Sequence, residues 1–284
     1  MLAHAFMRHA FLAGAFVALA CGIVGYFVVL RAQVFAGDAL SHVAFTGALA
    51  AAAAGVDARI GLFAATIAVA AGLGVLGERA RADDVVIGSV FAWILGLGVL
   101  FLSIFTSGAS GANGTQGARV LFGSIFGLSA GEGLLAAGIA VAVVAAMLTL
   151  ARPLLFTSID PAVAEGQGVP VRAIGIAFLL AVGVVAGEAT QAVGALLLLG
   201  LLAAPAGAAR LLTADPWKGL AVSAGLAVGS MWAGLTLSYQ ITRLPPSTAV
   251  ILVAAAAYLI AAALSTRIRA RSRWHHAPTA SRST

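Results

Sequence analysis

An aspartate and a histidine stand four residues apart, as Asp38 and His42, in the stretch GDALSH (37–42) that opens an otherwise apolar run. If the run 38–54 is helical, the two lie at i and i+4 with Ser41 at i+3, so all three share one face with Cβ atoms about 5–6 Å apart. A carboxylate and an imidazole at that distance suit a borderline divalent cation such as Zn2+ or Mn2+. An ionised Asp at the centre of a membrane helix costs on the order of 2.5–3.5 kcal/mol, so polar groups placed there mark substrate paths. The competing reading is structural. Asp38 follows a glycine and would cap the helix by accepting from its first free N–H groups, while His42 would serve only packing.

The elements that must position these residues are membrane helices. Of the 284 residues, 62% are hydrophobic and 9% charged, where soluble domains carry about a quarter charged residues. The apolar runs are about 20 residues long, the length of a spanning helix rather than the alternating strands of an outer-membrane barrel. Small residues let such helices approach closely, so the 34 glycines predict a compact all-α bundle. Helices are expected at 10–30, 37–55, 60–77, 85–106, 131–151, 172–190, 192–212, 218–240 and 247–265, a polytopic bundle of 8–9 spans. The basic start at 1–14 resembles a signal peptide but lacks a small-residue cleavage site before Leu30, so a retained first helix is expected. Cys21 is the one cysteine, which excludes a disulfide framework and a Cys-based metal site.

With these helices alternating, Arg79, Arg81, Arg152, Arg172, Arg210, Lys218 and the arginines 267–273 gather on one side, which the positive-inside rule makes cytoplasmic. The amino terminus then lies outside. The net charge of +6 becomes a property of the cytoplasmic face, with anionic lipid as its partner and no nucleic acid required. The expected division is a transmembrane domain at 1–266 and an Arg-rich, disordered cytoplasmic tail at 267–284, whose His275 and His276 are read as solvated. The segment 119–128 is too short to span and is expected to be interfacial, re-entrant or an extension of the next helix.

Between Arg152 and Arg172 lies the longest polar internal stretch, expected as a loop on the cytoplasmic side. Within it Asp160 as cap and Pro161 at the first position begin a short helix, ended by GQG and Pro170. Pro205 lies deep in the run 193–212 and is expected to kink that helix, as packing or as a hinge. Glu188, at the outer end of its helix, is expected to meet solvent. The only lysine is Lys218, so no phosphate-binding loop exists and the chain cannot hydrolyse nucleotide itself. It is not an enzyme, and energy must come from an ion gradient or a partner.

Five stretches in this order resemble the permease subunit of bacterial metal-ion ABC importers for zinc, manganese or iron, the ABC-3 family, over about 8–266. They are GDALSHVAFTG (with Thr46 where the family has proline), RADDVVIGSVFAWILGLGVL (with Asp83 where glutamate is usual), LFGSIFG at 121–127, the pattern of Asp160, Pro161, Ala164 and Gly168, and VGALLLLGLLAAPAGAARLLT at 193–213. The resemblance implies a plasma-membrane permease working as a homodimer, with an ATP-binding cassette subunit that binds the ATP and an extracytoplasmic metal-binding protein that supplies the ion. It implies that Asp38 and His42, with Ser41 beside them, lie on the metal path, and that Asp160, Pro161, Ala164, Glu165 and Gly168 form the coupling helix that docks on the ATPase. Zinc is the first expectation because His42 offers nitrogen, with Mn2+ and Fe2+ next. Near the last helix the family acid is replaced by Arg243, which is expected to pair with Asp57 or Glu188, or else to mark a different outer mouth. The rival readings are an iron–siderophore or cobalamin permease, a secondary transporter driven by an ion gradient, and a non-transport scaffold.

Overall fold

The computed structural model describes residues 5–76, 84–107, 123, 125–195, 198–241 and 243–275. Ten α-helices run through them: α1 (Ala5–Leu30), α2 (Val34–Ala53), α3 (Ala58–Leu76), α4 (Asp84–Ser107), α5 (Ala130–Ile159), α6 (Pro161–Gly166), α7 (Val171–Val193), α8 (Leu198–Leu212), α9 (Pro216–Gln240) and α10 (Pro246–His275). One turn of 3-10 helix, Ile125–Gly127, precedes α5. Eight of these helices are long and apolar enough to cross a membrane. The exception among the apolar helices is α8, whose 15 residues extend about 22 Å, short of the ~30 Å hydrocarbon core. Of the expected interfacial segment 119–128, only the part from 125 and Gly123 lies within the described residues.

Helix starts follow the local chemistry. At α5, Ser129 and Glu132 form a reciprocal capping box: the Glu132 N–H donates to Ser129 Oγ at 3.3 Å and the Ser129 N–H to Glu132 Oε2 at 2.8 Å. At α9, Asp215 accepts from the Trp217 and Lys218 N–H groups with Pro216 at the first position. Two helices outrun their expected ends. Instead of stopping at 151, α5 continues to Ile159, because Leu154 goes on burying itself in the core after Pro153; the expected loop from Arg152 is therefore helix for its first eight residues. Likewise α10 runs on through His275 into the Arg-rich tail, and 276–284 lie outside the described residues.

The bundle centre is α1, α2 and α7, the most buried spans. Around α1 stand α5, α8 and α9; α3 packs on both α2 and α7; α10 covers α8 and α9; and α4 leans on α2. Cys21 is buried and free within this core, a small apolar residue in effect. Close approach depends on glycine. A Cβ on Gly61 of α3 would meet the Gly47 carbonyl of α2 at 2.3 Å, and one on Gly25 of α1 would meet the Leu202 carbonyl of α8 at 2.0 Å. These are backbone obstacles that no rotamer relieves.

Three arginines gather at one end of the bundle, each reaching across to another helix. Arg210 donates to the Val29 carbonyl at 3.1 Å, Arg172 to the Val75 carbonyl at 3.3 Å, and Arg31 to Thr157 Oγ1 at 3.2 Å. Val29 and Val75 lie in last turns, where carbonyls lack helical donors and the dipole favours a cation. The same end therefore holds the carboxyl ends of α1, α3, α5 and α8, as alternating spans require.

Gly61→Val is expected to lower the melting temperature of the detergent-solubilised protein by several degrees, whereas Gly72→Ala, on the same helix with open space around it, leaves it within a degree or raises it slightly, since Ala favours helix over Gly by about 1 kcal/mol.

Candidate functional site

The GDALSH stretch lies inside α2. That helix starts at Val34, and its cap position, Gln33, makes no side-chain capping bond. Asp38 is thus one turn inside the helix, and the reading of Asp38 as a cap is corrected. At 1.5 Å per residue, Asp38 and His42 stand about 6 and 12 Å along a span of about 30 Å, nearer the arginine-bearing end. Asp38 is half-buried, and His42 and Ser41 are buried.

The three polar side chains do different things. Ser41 Oγ lies 2.7 Å from the Asp38 carbonyl and 3.1 Å from the Ala195 carbonyl, and its hydroxyl donates to them. The second contact joins α2 to the segment between α7 and α8. His42 meets α4: its ring stands edge-on to Phe91, with centroids 5.1 Å apart, and Phe91 in turn packs on Phe35 at 5.6 Å. A further tie to α4 comes from Thr46, whose hydroxyl donates to the Ile94 carbonyl at 3.0 Å while Gly98 lets the helices close against it. The residue that stands where the related motif has proline therefore supplies an interhelical hydrogen bond, which inside a membrane contributes about 0.6 kcal/mol.

Where Ser41 reaches across, the expected helix 192–212 is interrupted. Val193 ends α7; Gly194 has φ +95 and ψ 152, a conformation open to glycine and strained for other residues; α8 begins at Leu198. Gly194 and Ala195 are buried, and Ala195 packs with Phe45 and Leu49 of α2. Non-helical backbone at membrane depth is tolerated only inside protein or along a cavity, and interrupted helices mark substrate sites in transporters. Pro205, where the kink is expected, is a separate feature that lies buried inside α8. The signal for the true break was Gly194 itself, directly after the last polar turn of α7 and in the position glycine takes when it ends a helix.

At the other end of the bundle, Glu188 does not meet solvent. It is 4% exposed and pairs with Arg59 of α3 at 3.6 Å. It also borders a cavity of about 10 Å³ with Ala140 and Val185. Arg59 engages Asp57 as well, whose Oδ1 accepts from the Arg59 backbone N–H at 2.7 Å. Both acids expected to neutralise Arg243 are thus engaged by Arg59, while Arg243 stands exposed in the α9–α10 turn.

The short helix forecast at Asp160 is present. Asp160 Oδ1 accepts from the Val163 N–H at 2.9 Å, Pro161 occupies the first turn, and the helix closes where Gly168 takes φ +79. Its Ala164 is buried against the bundle, and Glu165 is exposed. Ile159 and Val163 also expose apolar surface there, at 80% and 47%. Asp38, Ser41 and His42 are thus brought together, whereas Asp160 to Gly168 form a separate feature at the carboxyl end of α5.

The model of the ABC 3 transport family matches residues 3–265. The chain belongs to that family. As a member it is a multi-pass protein of the bacterial plasma membrane. It is 29% identical over 262 residues to the manganese transport system membrane protein MntC of Listeria innocua serovar 6a, covering 92% of this chain and 91% of that one. It is 30% identical over 270 residues to a protein of Haemophilus influenzae named "Probable iron transport system membrane protein", covering 94% and 96%. Among solved structures, PsaBC from Streptococcus pneumoniae in complex with Fab has the same fold, with a TM-score of 0.79, 24% identity and 91% of both chains covered. The Arg59–Glu188 pair yields a stability test for this family member. Arg59→Leu leaves a buried carboxylate alone and is expected to destabilise by about 3 kcal/mol, and the double variant Arg59→Leu/Glu188→Leu to recover most of that loss; thermal unfolding of both in detergent measures it.

Proposed function

We propose that this chain is the membrane permease of an ATP-driven importer of a divalent transition metal. The observation that carries the reading is the placement of Asp38 and His42 inside a span, on the helix that Ser41 ties to a broken element. A carboxylate and an imidazole there can exchange a metal's water ligands without a wide cavity. Manganese is the first substrate we propose, because the MntC relative is named for it, with iron, named in the Haemophilus relative, and zinc, favoured by the single imidazole, as the alternatives to be measured.

One chain offers too few ligands to close a site. Among the described residues no group of three His, Cys, Asp or Glu side chains comes together. In a homodimer whose two-fold axis passes beside α2, a second Asp38 and His42 would join the first, giving two carboxylates and two imidazoles. Such a set suits Mn2+ or Fe2+ with added water and Zn2+ without it. The Ser41 lone pairs remain available to water on the same face. Because conduction needs sites that release the ion, a weak set shared between copies fits transport better than a closed cage.

The helix Pro161–Gly166 is the proposed docking point for an ATP-binding cassette subunit. It is anchored on the bundle by Ala164 and presents Glu165 with the apolar Ile159 and Val163 outward. The positive-inside rule places it in the cytoplasm, where such a subunit and its ATP reside. An extracytoplasmic metal-binding protein would deliver the ion to the opposite end.

Uptake of Mn2+, Zn2+ and Fe2+, measured separately in cells lacking this chain, tests the reading. Wild type is expected to restore one of them by at least about tenfold over Asp38→Ala or His42→Ala, the loss that follows from removing about 1.4 kcal/mol of ion binding in transit. Restoration by both variants would remove Asp38 and His42 from the path, and no response to any of the three ions would favour a chelate or gradient-driven transporter. Glu165→Arg is expected to reduce co-purification of the ATPase with uptake falling in parallel; unchanged co-purification would move the docking point elsewhere.

A further inference from the structure

Arg31 stands at a junction for which the transport reading has so far given no role. It lies in the short turn between α1 and α2, seven residues before Asp38. Its Nη1 donates to Thr157 Oγ1 at 3.2 Å and to Ser158 Oγ at 3.4 Å, both in the last turn of α5. The hydroxyls of Thr157 and Ser158 themselves donate to the Leu154 carbonyl, so their protons are committed and their lone pairs are left for the guanidinium. Its Cζ lies 5.5 Å from the ring centroid of Phe178, a fully buried residue of α7. One cation thus touches the ends or flanks of three helices.

The turn that carries Arg31 is stiff. The Gln33 N–H donates to the Val28 carbonyl at 2.8 Å and the Ala32 N–H to the Val29 carbonyl at 3.2 Å, with Ala32 at φ 54. This is the closure normally made with glycine, and here alanine holds it in the left-handed region. A displacement of the guanidinium is therefore passed to the start of α2 rather than absorbed in the turn. On the other side, Asp160 is at once the C-cap of α5 and the N-cap of α6, so a push on α6 reaches Thr157 and Ser158 within one turn. The helix α6 packs on α5 and α7 and has no comparable interface with α2.

We propose that Arg31 is the positioning residue that transmits movement of α6 to the helix bearing Asp38 and His42, and so keeps ATP hydrolysis coupled to ion passage. This rests on the permease reading given above. The competing route runs from α6 through α7 to α2, which also pack together, and would leave Arg31 a simple brace.

The test is the number of ATP molecules hydrolysed per ion imported, measured on the permease–ATPase complex in liposomes supplied with its metal-binding protein. Arg31→Ala is expected to assemble with the ATPase and hydrolyse ATP while importing about tenfold less ion per ATP, the scale of losing a hydrogen bond to a charged group. Arg31→Lys, which keeps the charge without the fork, should fall between Ala and wild type. The double variant Thr157→Val/Ser158→Ala removes the acceptors while leaving Arg31 in place, and should raise the ratio in the same direction. A brace would change melting temperature and yield with the ratio unchanged. A wild-type ratio in Arg31→Ala overturns the proposal, and if that variant does not assemble, a wild-type ratio in Thr157→Val/Ser158→Ala overturns it. Failure of the wild-type complex to import metal at the expense of ATP would instead overturn the permease reading itself.

Discussion

A bilayer core offers no water to an unpaired backbone group, so every departure from helix inside it must be satisfied by the protein. The bond from Ser41 to the Ala195 carbonyl meets that demand where it is most acute. It lets α7 end at Gly194 with the Ala195 carbonyl satisfied inside the protein, ahead of the restart of α8 at Leu198. It also fixes which face of α2 looks at the break. Because Asp38 and His42 lie three residues before and one after Ser41, their direction is set by the same contact. A polar face and an interrupted helix, each unfavourable alone in a membrane, are thereby stabilised together.

The two ends of the bundle are held by different means. At the end read as cytoplasmic, guanidinium groups from one helix or turn sit on the last-turn carbonyls or hydroxyls of another helix. These bonds use groups that helix geometry leaves vacant, so they add ties without removing any. At the opposite end, Arg59 and Glu188 join α3 to α7 through a long pair, the carboxylate buried and the guanidinium partly so, which fixes geometry more than it adds stability. Between them, among the described residues, α4 packs chiefly on α2, through Phe91, Thr46 and Gly98. The helix nearest His42 therefore leans mainly on the helix that carries it.

Much of the architecture was legible from composition and run length, because in a membrane these leave few alternatives. The apolar runs located the spans, and Asp160–Pro161 announced a cap and first turn that the structure has. The face shared by Asp38, Ser41 and His42 followed from helical spacing. What the sequence did not disclose was of two kinds. Helix ends hidden by continuous apolar residues were misplaced: the run 192–212 reads as one helix until Gly194 is seen with φ +95, and α5 passes through Pro153 because Leu154 is still core. Long-range polar partners were the second kind. Nothing in the order of residues says that Glu188 meets Arg59 instead of Arg243, or that Arg31 reaches Thr157, because both depend on how helices far apart in sequence are packed.

The central claim is that a metal ion in transit is held by the face of α2. Electron–nuclear double resonance on Mn2+ bound to the purified permease–ATPase complex, with histidine nitrogens isotopically labelled, examines this directly. Of the five histidines, only His42 lies in α2. The account predicts an imidazole nitrogen coupling that disappears in His42→Ala and survives in His275→Ala/His276→Ala. A coupling unchanged by His42→Ala would place the ion elsewhere and contradict the account.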